Sequence, residues 1–430
     1  MLLRSLLLAL VGVAFAAAPE PTIVVCDAAK VPGKNDAEAL VAGSDGWIFR
    51  AYTDLSADFP VPAATLAGLR RYVDVLRAHG TTLVLLPQPA RGLIASDRVD
   101  RTDPLAAGFD PAKVRAAWLV KLDALRSTGA VVPDLLAAAA EAGTGEGYTF
   151  RRDHHWRPEG ARVAAHAVAV ALAGKPALTP AAFRSEREPK PRLLNSSLGK
   201  SLTERCGTPA LPPESYPRWV SVPAVADLLG DPPLPEVVLA GASNVNKGNE
   251  DYFDFAGALC EELGADVLNV GVDGGGYNTG ILAWMDSVEG RAAAPRVIVW
   301  EFSGRLAATL PHHFRQVVPT LAGICATPVA ESTVTLGQRE TLLAPAPAGL
   351  RGAGTYAVVE LSDPALVEFT AVFHLRGEPP DPVLVQRGTR LPNNGRFFFE
   401  PHQTDAELES VSLLHATGAD TTAKVRWCRY

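Results

Sequence analysis

The chain has 430 residues, of which 47% are hydrophobic and 20% charged, and its formal net charge is -7. At roughly 150 residues per domain, this length predicts two or three domains. A net negative charge gives no basic footprint of the kind that binds nucleic acid or an anionic membrane surface. Nucleic acid is therefore excluded as an expected partner.

The first residues have the pattern of a secretory signal. One arginine precedes an apolar run that ends in small residues with an Ala-x-Ala pattern, over residues 1–18. This arrangement predicts a signal peptide over residues 1–18, cleaved after Ala16 or Ala18. An uncleaved N-terminal anchor is the alternative. No later stretch reaches about 18 uninterrupted apolar residues, so the rest of the chain is expected to be soluble.

Helical and strand patterns alternate through the first two thirds of the chain. Apolar residues at helical spacing predict a first helix, and a buried strand follows it. The predicted elements are a helix around Leu66–Leu76, a strand at Thr81–Pro87, helices at Pro111–Ser127 and from Pro158, a short strand at Val131–Pro133, and strands at Val237–Ala240, Val267–Val270 and Val297–Phe302. Residues 175–235 are predicted to be a loop-rich excursion. We therefore predict a doubly wound α/β domain with a parallel sheet over residues 22–328.

The pattern changes in the last hundred residues. Short β-like runs separated by glycine and proline occur at Thr333, Tyr356, Phe369, Pro382, Arg396 and Ala423. Such spacing predicts a small all-β sandwich over residues 332–430. Trp427, Tyr430 and the Phe397–Phe399 run are candidates for a sugar-stacking platform, although at least one of the three phenylalanines is expected in the core.

Two segments carry the candidate chemistry. Ser243 follows the strand Val237–Ala240 and precedes a helical pattern, a placement typical of a serine nucleophile. His155 is the predicted general base, and Asp153 is expected to orient it, while His154 points elsewhere. A solvated loop or a metal pair is the alternative reading of the two histidines, and the sequence offers no further ligand cluster.

Residues near this segment supply further candidates. Gly274, Gly275 and Gly276 follow a predicted strand and are candidates for an oxyanion hole, with a flexible turn as the alternative. Glu301 and Arg305 are predicted to form a structural ion pair. Trp47, Trp156 and Trp300 are expected in the core rather than stacked on sugar.

Five cysteines are far apart in sequence and contain no Cys-x-x-Cys, which argues against a zinc ribbon or a redox motif. In an oxidising compartment they allow two disulfides and one free thiol. Cys260 lies on the apolar side of a predicted helix and is the candidate for the unpaired, buried one. Fifteen pairing patterns remain open on sequence grounds.

The motifs together resemble the alginate O-acetyltransferase family of the AlgX/AlgJ type. The segments that carry the resemblance, in order, are Gly43–Phe49, Leu86–Arg91, Asp153–Gly160, Gly241–Ser243, Phe253–Leu259, Asp266–Gly276 and Trp300–Arg305. Family members usually carry a second hydroxyl residue two places after the nucleophile, where this chain has Val245.

The resemblance implies a permuted SGNH hydrolase-like fold, a periplasmic location and a C-terminal carbohydrate-binding module. It implies that Ser243 accepts an acetyl group and passes it to a hydroxyl of an alginate-like polysaccharide, without a cofactor or metal. It also implies pairing of Cys26 with Cys206 and of Cys325 with Cys428. The expected partners are the polysaccharide, an acetyl donor such as a membrane acetyl-transfer protein, and a polysaccharide secretion complex.

Three residues are candidates for substrate binding: Arg91, Asn246 and Tyr252. The last two have helix capping or packing as the alternative role. Two other functions are compatible with this sequence. One is a polysaccharide acetyl esterase that uses Asp153, His155 and Ser243, and the other is a non-catalytic sugar-binding scaffold. The presence of Asp153, His155 and Ser243 together argues against the scaffold.

Overall fold

The computed structural model describes residues 21–33, 38–174, 176–223, 234–248, 252–305, 310–337, 339–414 and 421–430. The predicted signal peptide over residues 1–18 lies outside these ranges. Within them, none of the helices combines the length and the apolar character that crossing a bilayer requires.

Helices are concentrated in the first three quarters of the chain. They are α1 (Ala63–Ala78), α2 (Arg91–Ile94), α3 (Pro111–Arg126), α4 (Leu135–Glu141), α5 (Pro158–Leu172), α6 (Ser197–Cys206), α7 (Phe255–Leu263), α8 (Thr279–Asp286), α9 (Val288–Ala292) and α10 (Leu310–Ala322), with single 3-10 turns at Asp27–Ala29, Ser96–Arg98 and Gly145–Gly147. The predicted helices at Pro111 and Pro158 both begin at the proline, whose missing amide hydrogen costs nothing in the first turn.

Strands occur throughout the chain and dominate its end. They are β1 (Leu40–Ala42), β2 (Ile48–Arg50), β3 (Thr82–Pro87), β4 (Phe183–Arg187), β5 (Arg192–Leu194), β6 (Glu214–Tyr216), β7 (Trp219–Pro223), β8 (Val237–Ala240), β9 (Val267–Asn269), β10 (Val297–Phe302), β11 (Ala330–Thr335), β12 (Glu340–Pro345), β13 (Thr355–Leu361), β14 (Glu368–Leu375), β15 (Asp381–Gln386), β16 (Arg396–Phe399), β17 (Leu408–Leu414) and β18 (Thr422–Arg429).

A parallel sheet of order β3-β10-β8-β9 forms the centre of the first region. The expected strand at Val131–Pro133 is reduced to one parallel bridge between Val131 and Val84. Alternate side chains of β3, β8 and β10 enter two separate cores, so that Leu83 packs with α1, α3, α8 and α10 and Val84 packs with α4, α5 and α7. The α/β fold with helices on both faces is thus confirmed.

The described residues of the excursion, 176–223 and 234–235, contribute no strand to this sheet, as predicted. They form two antiparallel pairs, β4 with β7 and β5 with β6, together with α6. The last residue of α6, Cys206, is bonded to Cys26, which ties the excursion to the N-terminal segment. Cys260 is buried in α7 and takes part in no disulfide.

The C-terminal region is a sandwich of two four-stranded antiparallel sheets, β11-β18-β13-β16 and β12-β17-β14-β15. The sequence pattern did not indicate β12 or β17. Phe397, Phe398 and Phe399 are all fully buried and Trp427 is 1% exposed, so the proposal that they form a sugar platform is wrong. The disulfide of Cys428 with Cys325 attaches the last strand to the segment after α10, which is the pairing that the resemblance implied.

Buried charges join the two regions. Arg315 on α10 donates both terminal nitrogens to Asp381 and its Nε to the carbonyl of Glu400. Arg71 on α1 binds the Glu400 carboxylate through two hydrogen bonds. The sandwich is therefore fixed against α1 and α10 by ion pairs whose carboxylates, Asp381 and Glu400, are almost fully buried.

Candidate active site

Ser243 lies three residues beyond β8, at the carboxyl end of the central sheet, where open α/β sheets bind ligands. The chain makes a single turn here, because the amides of Val245 and Asn246 both donate to the carbonyl of Ala242. The next helix, α7, begins only at Phe255. The expectation that Ser243 stands at the start of a helix is therefore wrong, and an isolated turn holds it.

The loop that enters α5 brings the predicted base to this turn. Nε2 of His155 lies 2.7 Å from Oγ of Ser243, and Nδ1 of the same ring lies 2.5 Å from Oδ1 of Asp153. His155 is 1% exposed and Asp153 is 2% exposed. Two distant parts of the sequence thus place a hydroxyl, an imidazole and a carboxylate in one hydrogen-bonded row.

Asp153 is held by more than the imidazole. Its Oδ1 also accepts the backbone amide of His155, at 3.0 Å, and its Oδ2 accepts the amide of Ser197, at 2.7 Å. Ser197 is the first residue of α6, so the positive end of that helix faces the carboxylate. Burial opposes ionisation, but the hydrogen bond and charge of His155 outweigh it and hold the pKa of Asp153 well below its usual range.

His154 does not point away from the site as expected. Its ring lies on that of His155, with centroids 3.9 Å apart, and its Nδ1 is 2.9 Å from the Ser197 hydroxyl. Burial, assisted by the neighbouring His155, lowers the pKa of His154 well below its usual value. His154 is therefore a neutral ring in the wall of the site.

The Ser243 turn is attached to both sides of the site. Trp156, which follows the base, is 1% exposed and donates its indole N–H to the carbonyl of Asn244, at 3.0 Å. Asn246 donates to the carbonyl of Gly271, and Asn269 donates to the carbonyl of Val245. These bonds fix the turn against the His155 loop and against the segment after β9.

A cavity of about 260 Å³ opens beside the Ser243 hydroxyl. Its wall is mixed polar and aromatic, and its residues include Arg50, Asp54, Arg91, His154, Trp156, Ser243, Asn244, Tyr277, Glu301, Ser303 and Arg305. This volume can admit a small molecule beside the Ser243 hydroxyl.

A buried ion cluster forms the floor on one side. Asp54 accepts hydrogen bonds from Arg50 and from Arg91, each at 2.8 Å. Burial raises the pKa of Asp54, but these two guanidinium groups outweigh it and lower it to about 2. Arg91 also donates to the carbonyls of Ile48, Phe150 and Arg151. Its two terminal nitrogens are thus occupied by the protein, although the side chain lines the cavity.

Glu301 and Arg305 do not form the expected ion pair. Oε1 of Glu301 instead accepts the side-chain amide of Asn244, at 2.8 Å, whereas Arg305 donates to the carbonyl of Tyr52. The spacing rule fails because Glu301 belongs to a strand and Arg305 follows its end, so the two side chains diverge. Burial raises the pKa of Glu301 to about 7, although the hydrogen bond from Asn244 acts in the opposite direction.

The other predicted contacts lie at varying distances from the reaction centre. The amide of Gly275 donates to the carbonyl of Val272, so it is occupied in a turn, and Gly274 packs beside the guanidinium of Arg390. Gly276, rather than these two, lines the cavity. Tyr252 packs against the core that contains Val84 and against Gly248.

Ligand atoms of Asp153, His154 and His155 lie within 4.8 Å of one another. A metal there would compete with the proton that joins Asp153 to His155 and with the bond from His154 to Ser197. The hydrogen-bonded row to Ser243 uses these same atoms, so the geometry favours acid–base chemistry.

Sequence reasoning missed two contributions, Asp54 and Ser197. Asp54 has no motif around it, and its partners Arg50 and Arg91 are brought to it by folding. Ser197 belongs to the excursion, whose position relative to the sheet no local pattern specifies. The one signal in the sequence is Arg91, a cation within the Leu86–Arg91 motif, whose charge would need a carboxylate nearby if it were buried.

The fold and this row of side chains define the class: an SGNH hydrolase-like α/β protein followed by a β-sandwich. A family model described as "SGNH hydrolase-like domain, acetyltransferase AlgX" matches residues 40–304. The chain therefore belongs to the AlgX family.

Individual AlgX and AlgJ proteins are similar to this chain in sequence and in structure. The alginate biosynthesis protein AlgX of Pseudomonas aeruginosa is 31% identical over 373 residues, which cover 84% of this chain and 77% of that protein. The solved structure of Pseudomonas aeruginosa AlgX superposes with a TM-score of 0.81 at 27% identity, covering 95% of this chain and 100% of that one. The O-acetyltransferase domain of Pseudomonas putida AlgJ superposes with a TM-score of 0.50 at 28% identity, covering 63% of this chain and 92% of that domain.

Proposed function

We propose that this protein transfers acetyl groups to hydroxyls of an exported polysaccharide, alginate or alginate-like, through an acetyl-Ser243 intermediate. The observation that carries the proposal is the contact of His155 with both Ser243 and Asp153, at 2.7 and 2.5 Å. Membership in an acetyltransferase family, with relatives named for alginate biosynthesis, supplies the substrate class.

In the first half-reaction, Oγ of Ser243 attacks the carbonyl carbon of the acetyl donor while Nε2 of His155 takes the hydroxyl proton. The tetrahedral intermediate then collapses. The bond to the donor's leaving group breaks, His155 returns the proton to that group, and Ser243 carries the acetyl ester. Asp153 stays ionised and stabilises the imidazolium that forms between these steps.

In the second half-reaction, a sugar hydroxyl takes the donor's place. Its oxygen attacks the acetyl carbon while His155 accepts the hydroxyl proton, and the bond from the acetyl group to Oγ of Ser243 then breaks. The proton returns to Ser243, which restores the starting state. Asp153 keeps the Nδ1–H of His155 pointed toward itself, so Nε2 is free to act as base in both halves.

The surroundings of Ser243 suit an acidic sugar. Arg305 is exposed at the edge of the cavity, where a uronate carboxylate of the acceptor can meet its guanidinium. We assign residues 22–328 to catalysis and residues 332–430 to polysaccharide binding. The proposed location is the periplasm, where a membrane acetyl-transfer protein acts as donor and a secretion complex supplies the polymer.

The test compares Ser243→Ala with wild type and with Ser303→Ala, a matched control whose hydroxyl lines the same cavity. Each protein is incubated with a chromogenic acetyl ester and oligouronates, and the products are identified by mass spectrometry. We expect acetylated oligosaccharide from wild type and Ser303→Ala and neither product nor ester turnover from Ser243→Ala. Release of acetate without acetylated sugar would instead identify an esterase, and unchanged turnover by Ser243→Ala would reject the nucleophile.

A further inference from the structure

We propose that Glu301 is a positioning residue, whose carboxyl group fixes the turn that carries Ser243. The inference rests on the proposed function, since it gives a role to the neighbours of the nucleophile. Glu301 belongs to β10, and Ser243 follows β8, the adjacent parallel strand.

The strand register places Glu301 beside the turn. Trp300 pairs with Ala240, the last residue of β8, so Glu301 lies level with the point where the turn begins. A Cβ on residue 241 would lie 2.8 Å from Oε2 of Glu301. Glycine at this position therefore lets the turn approach the carboxyl group closely.

One carboxyl group holds both chain neighbours of Ser243. The side-chain amide of Asn244 donates to Oε1 at 2.8 Å, and the backbone amide of Ala242 faces the carboxyl group and lowers its pKa. Trp156, from the loop of the base, holds the same turn from the other side through the carbonyl of Asn244. The distance from Ser243 to His155 therefore depends on Glu301 through these bonds.

Burial of the Glu301 carboxyl group costs free energy of folding. Glu301 is 2% exposed on a strand whose other side chains are all buried and mostly apolar. No guanidinium, ammonium or imidazole appears among the described groups that shift its pKa, and burial raises that pKa to about 7. An apolar side chain would suit stability better at this position, because burying a carboxyl group without a cation costs free energy. The cost is consistent with a role in holding the turn.

The experiment uses Glu301→Ala, Glu301→Gln, Asn244→Ala and Ser243→Ala in the full chain, with Asp286→Asn as the matched control. Asp286 is also buried but does not line the cavity. Two readouts are measured: the rate at which a sulfonyl fluoride modifies Ser243, followed by intact mass, and kcat and KM for a chromogenic acetyl ester. Circular dichroism and thermal unfolding establish that each variant is folded.

We expect Glu301→Ala to lower both the sulfonylation rate and kcat by about 10- to 100-fold, since displacement of a reacting group by about 1 Å has an effect of this size. KM stays within about twofold, because Glu301 does not hold the ester itself. Glu301→Gln recovers part of the loss, because its oxygen still accepts from Asn244 while its NH2 group opposes the amide of Ala242. Asp286→Asn retains the wild-type rates.

The results test the nucleophile role of Ser243 and the positioning role of Glu301 separately. If Ser243→Ala is modified as fast as wild type, the proposed function fails. If Ser243→Ala is inert but folded Glu301→Ala loses less than about fivefold in both rates, the positioning role is overturned while the nucleophile stands. If Glu301→Ala does not fold, Asn244→Ala decides by the same threshold, because it removes the contact and leaves the carboxyl group in place.

Discussion

Replacing Asp153 by Asn tests the proposed orientation of the base. The carboxylate accepts three hydrogen bonds, from Nδ1 and the amide of His155 through Oδ1 and from the amide of Ser197 through Oδ2. An asparagine exchanges one oxygen for an NH2 donor, so it cannot accept all three. If the NH2 group of the asparagine faces Ser197, it meets the backbone amide of that residue, and two buried donors oppose each other. This costs about 1–3 kcal/mol of folding free energy.

If the NH2 group faces His155 instead, it changes the tautomer of the imidazole. Nδ1 must then accept, so the ring proton moves to Nε2, which lies 2.7 Å from Ser243 and is needed as the base. A wrong tautomer of this kind lowers kcat by about 10³- to 10⁴-fold, which corresponds to about 4–5.5 kcal/mol at 1.36 kcal/mol per tenfold. We expect Asp153→Asn to show this loss.

The assay is single-turnover acetylation of Ser243 and steady-state ester turnover, with urea unfolding measured in parallel. Ser197→Ala is the matched control, because it keeps the backbone amide that binds Asp153 and should stay within about fivefold of wild type. The reasoning is refuted if Asp153→Asn keeps kcat within about tenfold of wild type and also keeps its free energy of unfolding.

Two further predictions concern stability. The pKa of Glu301 is about 7 in the folded chain against 4.5 for an ordinary glutamate, so its contribution is complete below pH 4.5 and is lost as the pH rises through 7. Glu301→Gln should remove that part of the pH dependence of the free energy of unfolding. If the urea midpoint shifts equally in both proteins between pH 4.5 and 8, this prediction is contradicted. Replacing Cys325 and Cys428 by Ala opens a link between residues 103 apart and should lower the free energy of unfolding by about 4 kcal/mol. An unchanged unfolding midpoint in the double variant would show that the link contributes no stability.

Local periodicity was enough to predict most of the α/β region. The spacing of Leu69, Tyr72, Val73 and Leu76 predicts α1, and the same residues form its buried face. The apolar run of β10 is likewise recognisable, because a strand covered on both faces by helices needs no alternation. These features depend on burial patterns that a short segment contains in full.

The site was predictable only where its parts are close in sequence or belong to a known motif. Asp153 and His155 share one loop, and their mutual bond follows from that spacing. The bond from Ser197 depends on how the excursion folds back, and the contact of Glu301 with Asn244 depends on strand order. The buried phenylalanines of β16 were misjudged because a strand between two packed layers reveals its partners only in three dimensions.

The buried joint of Arg315 with Asp381 has a mechanical consequence. Hinge motion between the two regions would separate a guanidinium from its carboxylate in a place where water cannot replace either partner. Such a separation is expensive, so the sandwich and the Ser243 cavity move as one body. Under the proposed function, a polymer bound by the sandwich would therefore be presented to Ser243 at a fixed distance from its binding site.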